Sequence, residues 1–170
     1  MIKKIGLFFL CFPLVMFVIE TLFFIIGWHV NCFAFIFAFI LVIGYILRNT
    51  SKKIRLKSIC WFVGITLASI FIGANVYDAS YDGQWYHSSI IKLMNDGWNP
   101  FYHPILQQDE VPYYTNTHIW VSHYAKGMET IEAGIVALTG NLESGKTLNL
   151  FLAISCLLYT SPSPRDVEES

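Results

Sequence analysis

At 170 residues the chain is about one domain long, but 55% apolar, 16% aromatic and only 14% charged residues give it the composition of a membrane protein. Its 11 Lys and Arg nearly cancel its 12 Asp and Glu, yet the cations concentrate before residue 58 and the acids after residue 77. That separation argues against a nucleic-acid binder, which needs a basic face. Cys11, Cys32 and Cys60 lie in apolar runs and Cys156 in a segment set apart below, so neither a disulfide framework nor a zinc ligand set is present.

In chain order, residues 5–27 form a nearly continuous apolar run, long enough at about 1.5 Å per residue to cross a hydrocarbon core of about 30 Å. The run is too long for a secretory signal, no small-residue cleavage site follows it, and a second apolar run comes directly after. Within it, Glu20 is costly in a bilayer and is expected to face protein or water, paired with Thr21, His29 or Asn31 or serving a proton or substrate path. Trp28-His29-Val30-Asn31 reads as a turn, and residues 32–47 as a shorter second span. Arg48, Lys52, Lys53, Arg55 and Lys57, with no acid among them, form a basic loop before a third span over 59–76. Placing that loop and Lys3-Lys4 in the cytoplasm puts the N-terminus inside and residues 77–146 outside.

The outer segment holds Asp78, Asp82, Asp96, Asp109, Glu110, Glu129, Glu132 and Glu143 against Lys92, Lys126 and Lys146. Tyr86, Ile90, Leu93 and Met94 make a helical stripe over 84–96, ended by Gly97 in a left-handed cap. Residues 98–104, Trp-Asn-Pro-Phe-Tyr-His-Pro, form a rigid aromatic turn, and 112–121 are aromatic and irregular. A second helix is predicted over 124–138, with Met128, Ile131, Ile135 and Leu138 inward and Gly140-Asn141 as its stop.

Residues 147–155 begin a fourth span. Residues 156–166, Cys-Leu-Leu-Tyr-Thr-Ser-Pro-Ser-Pro-Arg-Asp, match a translated transposase sequencing adapter, and Val167-Glu168-Glu169-Ser170 suit its continuation. On this reading 156–170 are an artefact and 1–155 the N-terminal piece of a longer protein. The Ser161-Pro162-Ser163-Pro164 stretch breaks the apolar run short of the roughly 20 residues that a span needs.

The densest chemistry lies over 77–87, which sets Asp78, Asp82 and His87 just beyond the end of a membrane helix. A carboxylate there, partly desolvated, can serve as general base toward a hydroxyl or amine. The same residues also suit a structural role, Asp82 capping the following helix while Tyr81, Trp85 and Tyr86 sit at the headgroups. Lys126 can pair with a lipid phosphate as a point charge. Gly140 to Thr147 satisfies the phosphate-loop pattern as a string, but the segment before it has helical periodicity where that loop needs a strand. A helix cap followed by a snorkelling lysine is the alternative.

Asp82-x-x-x-Tyr86-His87, the amphipathic helix after it, Gly97-Trp98-Asn99-Pro100 and His123-Tyr124-Ala125-Lys126-Gly127 resemble the first outer loop of polytopic bacterial membrane glycosyltransferases of the C-type fold. That group includes protein O-mannosyltransferases and aminoarabinose lipid A transferases. The resemblance implies an integral membrane enzyme taking sugar from a polyprenyl-phosphate carrier, with Asp82 as catalytic base and Tyr86, His87, His123 and Lys126 near acceptor or carrier. The chain departs from the pattern in two ways: the acid follows the third span, and Gly83 stands where many relatives carry a second acid. The expected fold is an all-α transmembrane bundle fragment, with residues 1–57, 58–146, 147–155 and 156–170 as its successive parts. No required cofactor is read from the residues, and a divalent metal is compatible with them. The alternative functions are a non-catalytic transporter or polysaccharide-assembly protein and, more remotely, a nucleotide hydrolase using 140–147.

Overall fold

The computed structural model describes residues 2–111 and 116–160, Ile2 by its backbone alone, and its elements are helices throughout. They are α1 (Ile2–Ile25), α2 (Phe33–Asn49), α3 (Lys52–Asn75), α4 (Ser88–Asn95), α5 (Thr117–His123), α6 (Gly127–Thr139) and α7 (Thr147–Thr160). A π turn, Gly83–His87, leads into α4, and a 3-10 turn, Leu142–Lys146, leads into α7. The adapter reading of 161–170 and the first part of the irregular 112–121 segment lie outside the described residues. The rest of that segment is regular, for Thr117 to Val121 belong to α5.

Two stretches, Lys3–Ile25 and Lys52–Asn75, are long and apolar enough to cross a membrane, while α2 has 17 residues. These helices are apolar on more than one face. Along α1, Leu10, Leu14, Val18 and Leu22 recur at i, i+4 and are all at least half exposed. In water such a stripe would be a large unfavourable patch; against lipid it needs no partner.

The opposite face of α1 is the centre of the bundle. Phe9 and Phe12 meet Phe62 of α3 at 5.1 and 5.7 Å and Phe151 of α7 at 5.5 and 5.6 Å, and Phe12 also packs edge-on against Phe35 of α2. α7 runs antiparallel to α1. Ser155 donates its hydroxyl to the Gly6 carbonyl at 2.8 Å, and a Cβ on Gly6 would come within 3.0 Å of the Ser155 carbonyl. Small residues here let two backbones approach, as in membrane bundles generally.

Three expectations need correction. The basic stretch 48–57 is not a loop: α2 ends at Asn49, α3 starts at Lys52, and Lys52, Lys53, Arg55 and Lys57 occupy the first turns of α3. Cations at a helix N-terminus oppose the helix dipole, so local electrostatics do not explain their placement. Glu20 does not pair with Thr21, His29 or Asn31. It is fully buried against Gly134 of α6 with both oxygens lacking a hydrogen bond. α6 begins at Gly127, with Ile131 and Ile135 inward as predicted, but Met128 and Leu138 are exposed and Glu129 is buried instead.

The outer segment folds back onto the helix ends. Asn99 donates to the carbonyls of Phe24 and Trp28, and Tyr102 to that of Ile25, so the aromatic turn caps α1. Asn141 donates to Ala74 at the end of α3, and Lys146 to Val76 just beyond it.

Gly73 of α3 is pressed against the start of α7, where an added Cβ would lie 2.8 Å from Thr147 Oγ1 and 3.1 Å from its backbone nitrogen, whereas Gly64 faces open space. Gly73→Ala should cost about 1–3 kcal/mol by overpacking. Gly64→Ala should be neutral or stabilise by up to about 1 kcal/mol. Thermal unfolding of the two variants in detergent micelles checks this, with a lowered midpoint expected for the first alone.

Candidate active site

The segment after α3 turns sharply before re-entering a helix. The Asp78 carboxylate accepts the Ser80 N–H at 2.9 Å, and the Ser80 hydroxyl accepts the Gly83 N–H at 3.1 Å. Ser80 is therefore the cap, and helical geometry begins at Tyr81. Asp82 is already helical, with φ −66° and ψ −39°, and its side chain makes no capping bond. The structural role considered for Asp82 thus belongs to Asp78 and Ser80. Gly83 is tightly enclosed, since a Cβ there would run into the Asp78 carboxylate and the Ser80 hydroxyl. The Ser80 amide is also the main reason the Asp78 carboxyl lies below its ordinary value, with Lys146 and His87 adding to it.

From Gly83 to His87 the backbone is a π turn, closed by the Ser88 N–H bonding back to Gly83. In an α-helix, residues five apart point about 140° apart. A turn with i→i+5 hydrogen bonds narrows that angle. Asp82 and His87 accordingly line the same cleft.

This cleft, of about 760 Å³, opens where α3 ends. Its walls come from 77–92, from Met128 and Glu132 of α6, and from Leu142, Glu143, Gly145 and Lys146. Glu143 accepts the Asp78 backbone N–H at 3.0 Å and pairs with Lys146, whose ammonium also reaches the Val76 carbonyl. Lys92 pairs with Asp96 at 2.8 Å. Asp82 has neither ion pair nor hydrogen bond to another described residue. Glu132, half-buried in the wall, has its carboxyl pushed up to about 7, first by burial and then by the charges of Glu129 and Asp78.

His87 lies at the inner edge of the cleft, its Nδ1 bonded to the Glu129 carboxylate of α6. Its ring packs on Tyr86 at 4.2 Å. Tyr86 itself turns away into the core, between Trp120 and Tyr124 at 6.0 and 4.8 Å.

Of the residues singled out in sequence, Asp82 and His87 come together, while Tyr86, His123 and Lys126 do not line the cleft. Lys126 donates to the carbonyls of Ser122 and Tyr124 at 2.9 Å and sits over Trp98; burial lowers its pKa and Glu129 partly restores it. His123 is exposed at the end of α5. His103 pairs with Glu110 and His118 with Gln108. Sequence reading missed Glu132 and Glu143 as wall residues and Glu129 as the buried partner of His87, although Glu129 and Glu132 stand one helical turn apart in an otherwise apolar stretch.

The phosphate-loop reading of 140–147 does not survive. Gly140 is the left-handed cap of α6, with φ +70°, the preceding element is a helix, and the Lys146 ammonium is engaged by Glu143 and Val76. The snorkelling alternative for Lys146 gives way to the same contacts. Among the described residues no group of three or more His, Cys, Asp or Glu is arranged to hold a metal ion. No family model, curated protein or solved structure matches the chain.

Glu132 sets a pH dependence whose sign is fixed. Its folded value of about 7 lies above the ordinary 4.5, so its contribution to stability is complete below about 4.5 and is lost as pH rises through about 7. Glu132→Gln, neutral and of the same shape, should narrow the difference in unfolding midpoint between about pH 5 and about pH 8. Melting curves at the two pH values test it.

Proposed function

We propose that the chain belongs to an integral membrane glycosyltransferase that takes sugar from a polyprenyl-phosphate carrier at the outer face of the bacterial cytoplasmic membrane. Residues 77–146 are extracytoplasmic in this reading, and Asp82 is the general base. The observation that supports it most is the Asp82 carboxylate, free of structural duty and facing a cleft with His87 where an apolar helix ends. A base in that position takes the acceptor proton as the acceptor oxygen attacks the anomeric carbon. The sugar–phosphate C–O bond breaks with its electron pair on the carrier phosphate. Lys126 is the candidate for that phosphate. It lies outside the cleft, near enough to Glu129 to feel its charge, and two of its three ammonium protons are engaged by carbonyls.

Asp82→Asn should lower transfer by about 10²–10⁴-fold, because an amide has no proton affinity near neutral pH. Insertion and abundance should hardly change, since Asp82 makes no capping bond. Asp78→Asn keeps the oxygen that accepts the Ser80 N–H and should cost much less. Transfer from a polyprenyl-phosphate sugar, in membranes loaded with equal amounts of the intact protein, measures both. Full activity in Asp82→Asn would remove the mechanism.

Transport is the second reading, and Glu20, buried without a hydrogen bond inside an apolar helix, is what favours it. Function that depends on Glu20 and tolerates Asp82→Asn would select it. Topology is tested separately. In a background without native cysteines, Ser88→Cys should react with an impermeant reagent in intact cells and Ser51→Cys should not. The reverse labelling pattern contradicts an outer-face reaction.

A further inference from the structure

The contact between His87 and Glu129 joins two segments 42 residues apart and has the form of an oriented imidazole. Glu129 is buried at 3% side-chain exposure, while His87 is about one-third exposed and lines the cleft. With Glu129 ionised and the ring neutral, the carboxylate accepts the Nδ1–H. That choice of tautomer leaves a lone pair on Nε2, the nitrogen not held by Glu129. Tyr86 and Tyr124 pack against the ring, and Ala133, Ile135 and Val136 bury the α6 face farther along the helix. The second Glu129 oxygen has no hydrogen-bond partner, so the imidazole is the group that meets this buried carboxylate.

The charge of the cleft narrows what Nε2 can meet. Asp78, Asp82, Glu132 and Glu143 line it, against Lys92 and Lys146, which are paired with Asp96 and Glu143. Such a field opposes a phosphate and accepts an uncharged hydroxyl compound. Asp82 and His87 line the same cleft, so two hydroxyls of one molecule can meet the carboxylate and the imidazole together.

We infer that the cleft is a binding site for an uncharged polyol, in which His87 Nε2 accepts a hydrogen bond from one hydroxyl beside Asp82 and Glu129 is the residue that positions His87. In the transfer reading the polyol is the acceptor: the hydroxyl at Asp82 reacts, and its neighbour, held by His87, sets which hydroxyl that is. The acceptor assignment rests on that reading; the tautomer and the polyol binding do not.

The test uses the intact protein in lipid nanodiscs with 15N-labelled histidine, the His87 signals being assigned by their loss in His87→Gln. The wild type should show a protonated Nδ1 and an unprotonated Nε2 at neutral pH. Methyl α-glucoside should shift Nε2, and inorganic phosphate at the same concentration should not. Glu129→Gln should mix the two tautomers and weaken the glucoside response roughly 2- to 5-fold, in proportion to the fraction of rings that keep Nε2 unprotonated. A wild-type ring protonated at Nε2 would overturn the positioning role, without any need for the variant to fold. No response to the glucoside, or a larger one to phosphate, would overturn the polyol site. Neither result depends on turnover, so loss of the transfer reading through an active Asp82→Asn is a separate outcome.

Discussion

An α-helix leaves its last carbonyls without intrahelical donors, and where a helix ends at the edge of an apolar layer little water is present to replace them. In this protein the outer segment supplies the donors. Asn99 and Tyr102 serve the end of α1, and Asn141 and Lys146 serve the end of α3. Four side chains on two loops thereby fix a polar layer to an apolar bundle with no salt bridge between the layers among the described residues. The position of the cleft follows, because its floor is the chain leaving α3 and one wall is the turn that Lys146 clamps to it.

That anchoring divides the polar residues into those that hold the fold and those free to do chemistry. Asp78, Ser80, Glu143 and Lys146 are engaged with one another and with backbone. Asp82 and Nε2 of His87 are not, although they lie in the same short stretch. Proximity in sequence therefore misleads here: of two aspartates four residues apart, the one nearer α3 shapes the turn and the other is left to the cleft.

Much of the architecture was legible in the residues. The apolar runs gave α1, α2, α3 and the start of α7. Gly97 and Gly140 ended their helices with φ of +106° and +70°, and the stripe of Tyr86, Ile90, Leu93 and Met94 faces the core. What escaped was whatever depends on partners distant in sequence or on a departure from α geometry. Periodicity assumes 3.6 residues per turn and so cannot place Asp82 beside His87 across a π turn. Glu129 counted only as one of the acids of residues 77–146, and it is tertiary packing that buries it. The basic stretch read as a loop because it separates two apolar runs, whereas α3 takes in its cations from Lys52 on, against their preference at a helix start.

The embrace of α1 by α7 also has a consequence in time. Gly6 and Ser155, which bond to one another, are 149 residues apart. At about 5–20 residues per second of synthesis, the α7 side of that bond emerges roughly 7–30 s after the α1 side. Throughout that interval Phe9 and Phe12 lack the Phe151 ring that completes their packing. The nascent chain thus carries, for that interval, an aromatic surface that α7 will eventually cover.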